Sequence, residues 1–174
     1  MYPQPVEPIR AARGPSRVPS NPQRGPAVTN RVPGPDSRHG PDGRKTVMMI
    51  EDNEDSRLIL TALLRNSYEL VECSSGVQAL QVLRGVRPDL ILMDISLPEM
   101  DGVETLSRIR ADKNLKEIPV IALTAHAMAG DRDLHLKAGF NDYISKPVVD
   151  EKVLLSAIQE QIEKGPSSGS PRSG

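Results

Sequence analysis

The residues of this sequence best suited to chemistry each follow a short apolar segment. Glu51 and Asp52 follow the first such segment, and Asp94 follows four consecutive large apolar residues. Thr124 follows a further apolar segment and Lys146 follows the last one. A carboxylate is costly to hold inside a core, but the carboxyl edge of a parallel sheet opens into the crevice where open α/β folds bind ligands. If the apolar segments are parallel strands, these residues share one crevice.

The residue types in this crevice suit phosphoryl chemistry. Three carboxylates repel one another unless cations lie among them. Lys146 supplies one positive charge, and Mg²⁺ is the expected second cation because it prefers oxygen ligands and needs few carboxylates. Asp94 could then attack a phosphoryl group as a nucleophile, while the two cations neutralise charge on the transferring oxygens. The Thr124 hydroxyl could donate a hydrogen bond to the attached group.

The pattern of apolar residues after residue 46 predicts five strands that alternate with five helices. Leu90–Met93 shows no polar alternation, which is typical of a strand buried on both faces. This order of elements predicts a doubly wound α/β domain with right-handed crossovers. The predicted strands are Thr46–Ile50, Glu69–Cys73, Leu90–Met93, Pro119–Leu123 and Asp142–Ser145, and the predicted helices are Arg57–Arg65, about Gly76–Arg84, a segment after Gly102, about Gly130–Ala138 and about Asp150–Glu163.

Composition divides the chain into a folded domain and two tails. Residues 1–45 hold ten of the 16 prolines and carry eight basic against three acidic residues. Few large apolar residues separate them, so this segment is predicted to be a disordered basic tail. Residues 46–164 are predicted to form the domain, and residues 165–174 a flexible tail. From residue 46 onward the chain is acidic, with 14 basic and 20 acidic residues.

Several classes of protein are disfavoured by composition. The chain has neither the apolar core of a signal peptide nor the roughly 20 apolar residues of a membrane span, so we expect a soluble, cytoplasmic protein with no membrane partner. Its one cysteine, Cys73, excludes an intramolecular disulfide. The PxxP motif within residues 17–22 is interpreted as part of a linker. Because the basic tail lacks interleaved aromatic residues, we expect no more than weak electrostatic contact with nucleic acid or an acidic partner.

The whole set of motifs resembles the receiver domain of two-component phosphorelays, which is the CheY-like response regulator domain. The resemblance covers residues 46–164 and implies a flavodoxin-like (βα)5 fold whose parallel strands lie in the order 2-1-3-4-5. The matching motifs, in chain order, are Glu51-Asp52, Asp94 in LILMDISLPEMDG, Thr124 in ALTAHAM, and Lys146 before Pro147 in DYISKP.

This resemblance implies a role for each acidic residue. Asp94 would be the phosphoacceptor. Mg²⁺ would be held by Asp52, Asp94 and the backbone carbonyl of Ser96, with Glu51 acting largely through metal-bound water. His126 would lie near the phosphoryl site, where side chains tune hydrolysis. The family therefore implies a signalling phosphoacceptor rather than an enzyme that processes a substrate.

The resemblance also implies how the signal enters and leaves. The phosphoryl donor would be a histidine kinase or a histidine phosphotransfer protein. Thr124 and Tyr143 would shift together on phosphorylation and alter the surface of the fourth helix, the fifth strand and the last helix, where a target protein would bind. The bond between Lys146 and Pro147 is commonly cis in such domains. Ten residues after the last helix leave no room for an output domain, so the signal is expected to leave by protein contact or by transfer to a histidine.

Structural alternatives remain open for these residues. A capping or turn role would suit the carboxylates, and a packing or surface role would suit the others. The alternatives are a helix-capping cluster for Glu51-Asp52, a turn carboxylate for Asp94, a surface side chain for Lys146 or His126, an ordinary strand residue for Thr124 and a packing residue for Tyr143.

Three other functions compete with a response regulator. A phosphohydrolase with an aspartyl nucleophile usually has a second Asp two residues further on, and Ser96 occupies that position here. A receiver cut from a hybrid histidine kinase would have the same motifs. A phosphate-independent binding domain usually loses one of the acidic residues, the Thr or the Lys, and this chain keeps them all.

Overall fold

The structure is a computed structural model that describes residues 43–125 and 136–165. Residues 136–138 are helical and belong to the predicted fourth helix, whose other residues lie outside the described ranges, as do nearly all of the two predicted tails. None of the helices in these ranges is long and apolar enough to cross a membrane. The strands are β1 (Thr46–Ile50), β2 (Glu69–Cys73), β3 (Leu90–Asp94), β4 (Val120–Thr124) and β5 (Asp142–Ser145), and the helices are α1 (Glu54–Leu64), α2 (Gly76–Val82), α3 (Gly102–Ala111) and the C-terminal helix (Glu151–Glu163).

The five strands form one parallel sheet in the order β2-β1-β3-β4-β5. This order confirms the predicted doubly wound, flavodoxin-like fold. In the register of the sheet, Asp94 pairs with Leu123 and Thr124 pairs with Ser145. The order of strands reverses between β1 and β3, and ligands bind at the carboxyl ends of the strands beside such a point. The residues that follow β1 and end β3 therefore flank the crevice.

Helices cover both faces of the sheet. Successive strand residues alternate between the two cores, so that Met48 and Ile91 lie in one core and Met49 and Leu92 lie in the other. α2 and α3 pack on the first core, while α1 and the C-terminal helix pack on the second. Every residue of β1, β3 and β4 is buried, which explains why their sequences lack polar alternation. The carboxyl ends of these strands are thus mounted on a rigid, fully packed support.

Helix α1 begins three residues before the predicted start at Arg57. The side chain of Asn53 accepts a hydrogen bond from the backbone N–H of Ser56 at 2.9 Å and caps the helix. Glu54 and Asp55 occupy the first turn, where the positive end of the helix dipole favours acidic side chains. Residues predicted to precede the helix therefore belong to it.

Other boundaries shift by one or two residues. β3 and β4 run one residue beyond their apolar segments, to Asp94 and Thr124, because backbone pairing continues where the side chains become polar. β4 begins after Pro119, which has no N–H to donate to a neighbouring strand. α2 ends at Val82, two residues before the predicted end at Arg84.

Arg110 fixes the segments that lead into β4 and β5. The guanidinium of Arg110 donates hydrogen bonds to the backbone carbonyls of Lys116 and Ile118 at 2.9 and 2.8 Å and to that of Gly139 at 3.1 Å. It also donates to the side-chain oxygen of Asn141 at 2.9 Å. Burial lowers the pKa of Arg110. These contacts hold both strands at the edge of the sheet opposite the crevice.

We expect the buried thiol of Cys73 to make the stability of the domain fall in alkali. Cys73 is 1% exposed, and burial raises its pKa from 9.0 to about 11. The folded state therefore keeps this proton while the unfolded state loses it, and the free energy of unfolding falls as the pH rises from 9 towards 11. Between pH 8 and pH 10.5 the loss from this one group should be about 2 kcal/mol. Urea unfolding of wild type and Cys73→Ala at both pH values isolates the effect, and equal pH dependence of the two proteins would contradict it.

Candidate functional site

An ammonium group joins two buried carboxylates at the carboxyl edge of the sheet. Lys146 Nζ lies 2.8 Å from Glu51 Oε2, 3.1 Å from Glu51 Oε1 and 2.8 Å from Asp94 Oδ2. The side chains of Glu51, Asp94 and Lys146 are 1%, 6% and 19% exposed. The structure therefore brings together residues that are far apart in the sequence. Asp94 and Lys146 are separated by 52 positions, and Glu51 and Lys146 by 95.

The electrostatics of this cluster keep the lysine charged. Burial raises the pKa of Glu51, and the charge of Asp94 adds to this effect while the hydrogen bond from Lys146 opposes it. Burial by itself lowers the pKa of Lys146, but its hydrogen bonds with Asp94 and Glu51 outweigh burial, and the pKa is raised. The ammonium is thus the charge that makes two neighbouring buried carboxylates tolerable.

The third carboxylate, that of Asp52, lies at the surface of the same cluster. Carboxylate oxygens of Glu51, Asp52 and Asp94 all lie within 4.8 Å of one another. Three carboxylates against one ammonium leave two formal negative charges. Oxygen donors with this excess of negative charge fit a hard divalent cation such as Mg²⁺. The residues present therefore suit the predicted metal.

The carboxylate of Asp94 is oriented from both sides. The backbone N–H of Ser96 donates to Asp94 Oδ1 at 2.9 Å, and Lys146 donates to Oδ2. The loop that follows is closed by a hydrogen bond of 2.9 Å from the N–H of Gly102 to the carbonyl of Ile95. Since each carboxylate oxygen has two lone pairs, these contacts orient Asp94 without exhausting its acceptor capacity.

Thr124 ends β4 and Tyr143 lies on β5. In the sheet β4 lies between β3, which carries Asp94, and β5, which Lys146 directly follows. Thr124 is buried at the end of β4, and its carbonyl accepts a hydrogen bond of 2.7 Å from the N–H of Lys146. Tyr143 is half-buried and packs against the core covered by α2 and α3. The bond between Lys146 and Pro147 is cis, as the motif predicts. His126 lies outside the described residues.

Two features of the site were not predicted from the sequence. Arg57 reaches from α1 to the backbone of Glu51, with 2.9 Å between Nη1 and the carbonyl oxygen. Beside Glu51 and Lys146 there is also a cavity of about 280 Å³. Three consecutive apolar residues on α1, Leu58, Ile59 and Leu60, were the signal in the sequence for an apolar surface here. The other residues that line the cavity are Ser56, Ile59, Leu60, Leu123, Ala125, Pro147 and Val148.

Comparisons with known proteins agree on one family. The model of the response regulator receiver domain matches residues 47–159. The polar-differentiation response regulator DivK of Brucella ovis is 46% identical over 105 residues, which cover 60% of this chain and 85% of that protein. One similar solved structure is the receiver domain of a sensor histidine kinase from Pseudomonas aeruginosa PAO1, which has a magnesium ion in its active site cleft. It is 37% identical to this chain with a TM-score of 0.64, and the match covers 69% of this chain and 98% of that one. The chemotaxis response regulator CheY4 of Vibrio cholerae is 24% identical, with a TM-score of 0.63 over 68% of this chain and 98% of that one, and shares the fold.

Proposed function

We propose that this protein, which belongs to the response regulator receiver family, accepts a phosphoryl group on Asp94. The observation that carries this proposal is the position of Asp94 at the end of β3, with Lys146 on one carboxylate oxygen and the Ser96 N–H on the other. The two donors fix the direction of the carboxylate, and the exposed Asp52 beside it provides a further oxygen ligand for a cation. A turn or capping role would not require a buried ion pair.

In the proposed reaction the residues of the chain orient the group and balance its charge. The P–N bond of a phosphohistidine donor breaks as a P–O bond to Asp94 forms, and the histidine nitrogen keeps the electron pair. Lys146 neutralises negative charge on the transferring oxygens. Mg²⁺, held by Asp52, Asp94 and the Ser96 carbonyl, would supply further positive charge there. Glu51, whose two oxygens face Lys146, would act on the metal largely through water.

Receiver domains interact with histidine kinases or histidine phosphotransfer proteins and with downstream targets. For this chain we propose a switch in which Thr124 donates to the attached phosphoryl group and Tyr143 moves with it. The surface read by the target would be the fourth helix, β5 and the C-terminal helix. Phosphorylation can favour that state only through contacts that differ between the two states, so Thr124 and Lys146 should both be needed.

The proposed role is that of a signalling phosphoacceptor in the cytoplasm and not of an enzyme that turns over a substrate. Ser96 stands where a phosphohydrolase would have a second Asp to protonate the leaving group. The similarity to DivK extends over 85% of that response regulator, which supports a signalling role. Retention of the acidic residues, Thr124 and Lys146 argues against a phosphate-independent binding domain.

The experiment that tests this function is intact mass measurement after incubation with acetyl phosphate and Mg²⁺. We expect wild type to gain one phosphoryl group, and we expect Asp94→Asn, or wild type in EDTA, to gain none. Asp112→Asn is the matched control, because Asp112 is an exposed carboxylate at the end of α3, and it should accept the group as wild type does. If wild type neither gains mass nor binds beryllofluoride, the phosphoacceptor function is wrong and a phosphate-independent binding domain replaces it.

A further inference from the structure

We propose that Arg57 is a positioning residue for the divalent cation, because it fixes the backbone of the acidic loop Glu51–Asn53. The proposal rests on the magnesium site of the proposed function. Arg57 lies on α1 and has no carboxylate to offer a metal, so it acts on the cation only through the loop. The side chain is well packed for an arginine on a helix surface, at 21% exposed.

The guanidinium of Arg57 connects β2 to the acidic loop. Nη1 donates a hydrogen bond of 2.9 Å to the backbone carbonyl of Glu51, and Nε lies 3.5 Å from Glu72 Oε2 on β2. The Glu72 carboxylate is held in turn by the Thr61 hydroxyl, which donates to Oε1 at 3.1 Å. The planar fork of the guanidinium lets one side chain satisfy both directions at once.

The contact matters because no side chain in the described part of the chain anchors the Asp52 carboxylate. Among the described residues, the exposed Asp52 carboxylate makes no hydrogen bond and no ion pair. Its position is therefore set by the backbone on either side. The carbonyl that Arg57 holds belongs to the peptide plane between Glu51 and Asp52, so the hydrogen bond fixes the orientation of that plane.

Other hydrogen bonds fix the loop on both sides of this plane but not the plane itself. The N–H of Glu51 donates to the carbonyl of Cys73 at 3.0 Å, and the N–H of Asn53 donates to Glu51 Oε1 at 3.2 Å. Without Arg57 the carbonyl of Glu51 would accept no hydrogen bond from the residues that the structure describes. Asp52 would then sample more directions, and binding a cation would have to order it.

A purely electrostatic role for Arg57 predicts the opposite result. A positive charge near the carboxylates disfavours a second cation, so its removal would tighten metal binding. The ion pair with Glu72 and the surrounding salt weaken that effect. Replacement by lysine separates the two roles, because Arg57→Lys keeps the charge and loses the fork.

The test is isothermal titration of the full chain with Mg²⁺, using wild type, Arg57→Lys and Arg57→Met. We expect both variants to bind Mg²⁺ about tenfold more weakly, as when a partner that orients a metal ligand is lost. Arg108→Met is the matched control, since Arg108 pairs with Glu104 on the exposed face of α3, and it should change the affinity less than about twofold. Urea unfolding of each variant shows that the protein titrated is folded.

The possible outcomes separate this proposal from the function on which it rests. If wild type binds no Mg²⁺, the magnesium site is wrong and the role of Arg57 falls with it. If wild type binds Mg²⁺ but Arg57→Met binds it more tightly and Arg57→Lys equally well, Arg57 acts only through its charge. If both variants are less stable but bind Mg²⁺ as wild type does, Arg57 has only a structural role. Either of the last two results overturns the proposal for Arg57 alone.

Discussion

Lys146→Met is expected to lower the free energy of unfolding by about 3–5 kcal/mol at pH 7.5 in EDTA. The ammonium lies 2.8 Å from an oxygen of Glu51 and 2.8 Å from an oxygen of Asp94, and both carboxylates are almost fully buried. Its removal leaves two like charges next to each other without a partner. Breaking a buried ion pair on one side is costly because the remaining charge is not solvated. Urea unfolding followed by far-UV circular dichroism measures the loss.

A double mutant cycle tests whether the loss comes from the carboxylates. In a Glu51→Gln background the same substitution leaves one unpaired charge instead of two, so it should cost at least about 1 kcal/mol less. Lys116→Met, which removes an exposed ammonium, should change stability by less than about 0.5 kcal/mol. An equal cost of Lys146→Met in both backgrounds would show that the carboxylates do not set it.

A divalent cation should partly replace the missing ammonium. Without Lys146 the site keeps three carboxylates and loses the ammonium that contacts two of them. Mg²⁺ should therefore stabilise Lys146→Met more than it stabilises wild type, since at a given concentration a ligand that binds the folded state more tightly stabilises it more. The same variant should accept the phosphoryl group poorly, because in the proposed reaction Lys146 neutralises charge on the transferring oxygens.

The strands could be predicted from the sequence because burial on both faces leaves an unbroken apolar pattern. Leu90–Met93 is the clearest case, and the observed strand differs from it by one residue. The start of α1 was less predictable, since Asn53, Asp55 and Ser56 are all residue types that commonly cap a helix. Only the hydrogen bond from the Ser56 N–H to Asn53 shows which residue does so.

The members of the candidate site could be predicted, but their pairing could not. Strand ends marked Glu51, Asp94 and Lys146, because parallel strands bring these ends to one edge. The sequence did not indicate that one ammonium would contact both buried carboxylates while Asp52 stayed exposed. Which carboxylates the ammonium contacts depends on how far the side chains at the ends of β1, β3 and β5 extend along this edge of the sheet. Arg57 was missed for a related reason, since an arginine on a helix surface has no local signal for a contact with a distant carbonyl.

Gly102 is a residue whose importance depends on a close approach that the sequence does not show. A Cβ atom at this position would lie 2.5 Å from the carbonyl oxygen of Asp94 and 2.8 Å from the Cα of Ile95. Both neighbours are backbone atoms, which cannot move aside as a flexible side chain can. The N–H of Gly102 also donates to the carbonyl of Ile95 at 2.9 Å. The start of α3 therefore packs directly against the backbone that carries Asp94.

Gly102→Ala should consequently lower the free energy of unfolding by more than about 2 kcal/mol and also slow phosphoryl uptake. The added methyl group must displace either α3 or the backbone of Asp94, and the second shift would misdirect the carboxylate held by Lys146. Gly85→Ala is the matched control, because a Cβ at Gly85 meets no atom within 4 Å. That variant should have unchanged stability, or gain about 0.4–1 kcal/mol from the stiffer unfolded chain.

Urea unfolding and the rate of mass gain with acetyl phosphate measure the two effects of Gly102→Ala. Equal stability of the two variants would contradict the steric argument, and a wild-type rate in folded Gly102→Ala would mean that α3 moves while Asp94 stays in place.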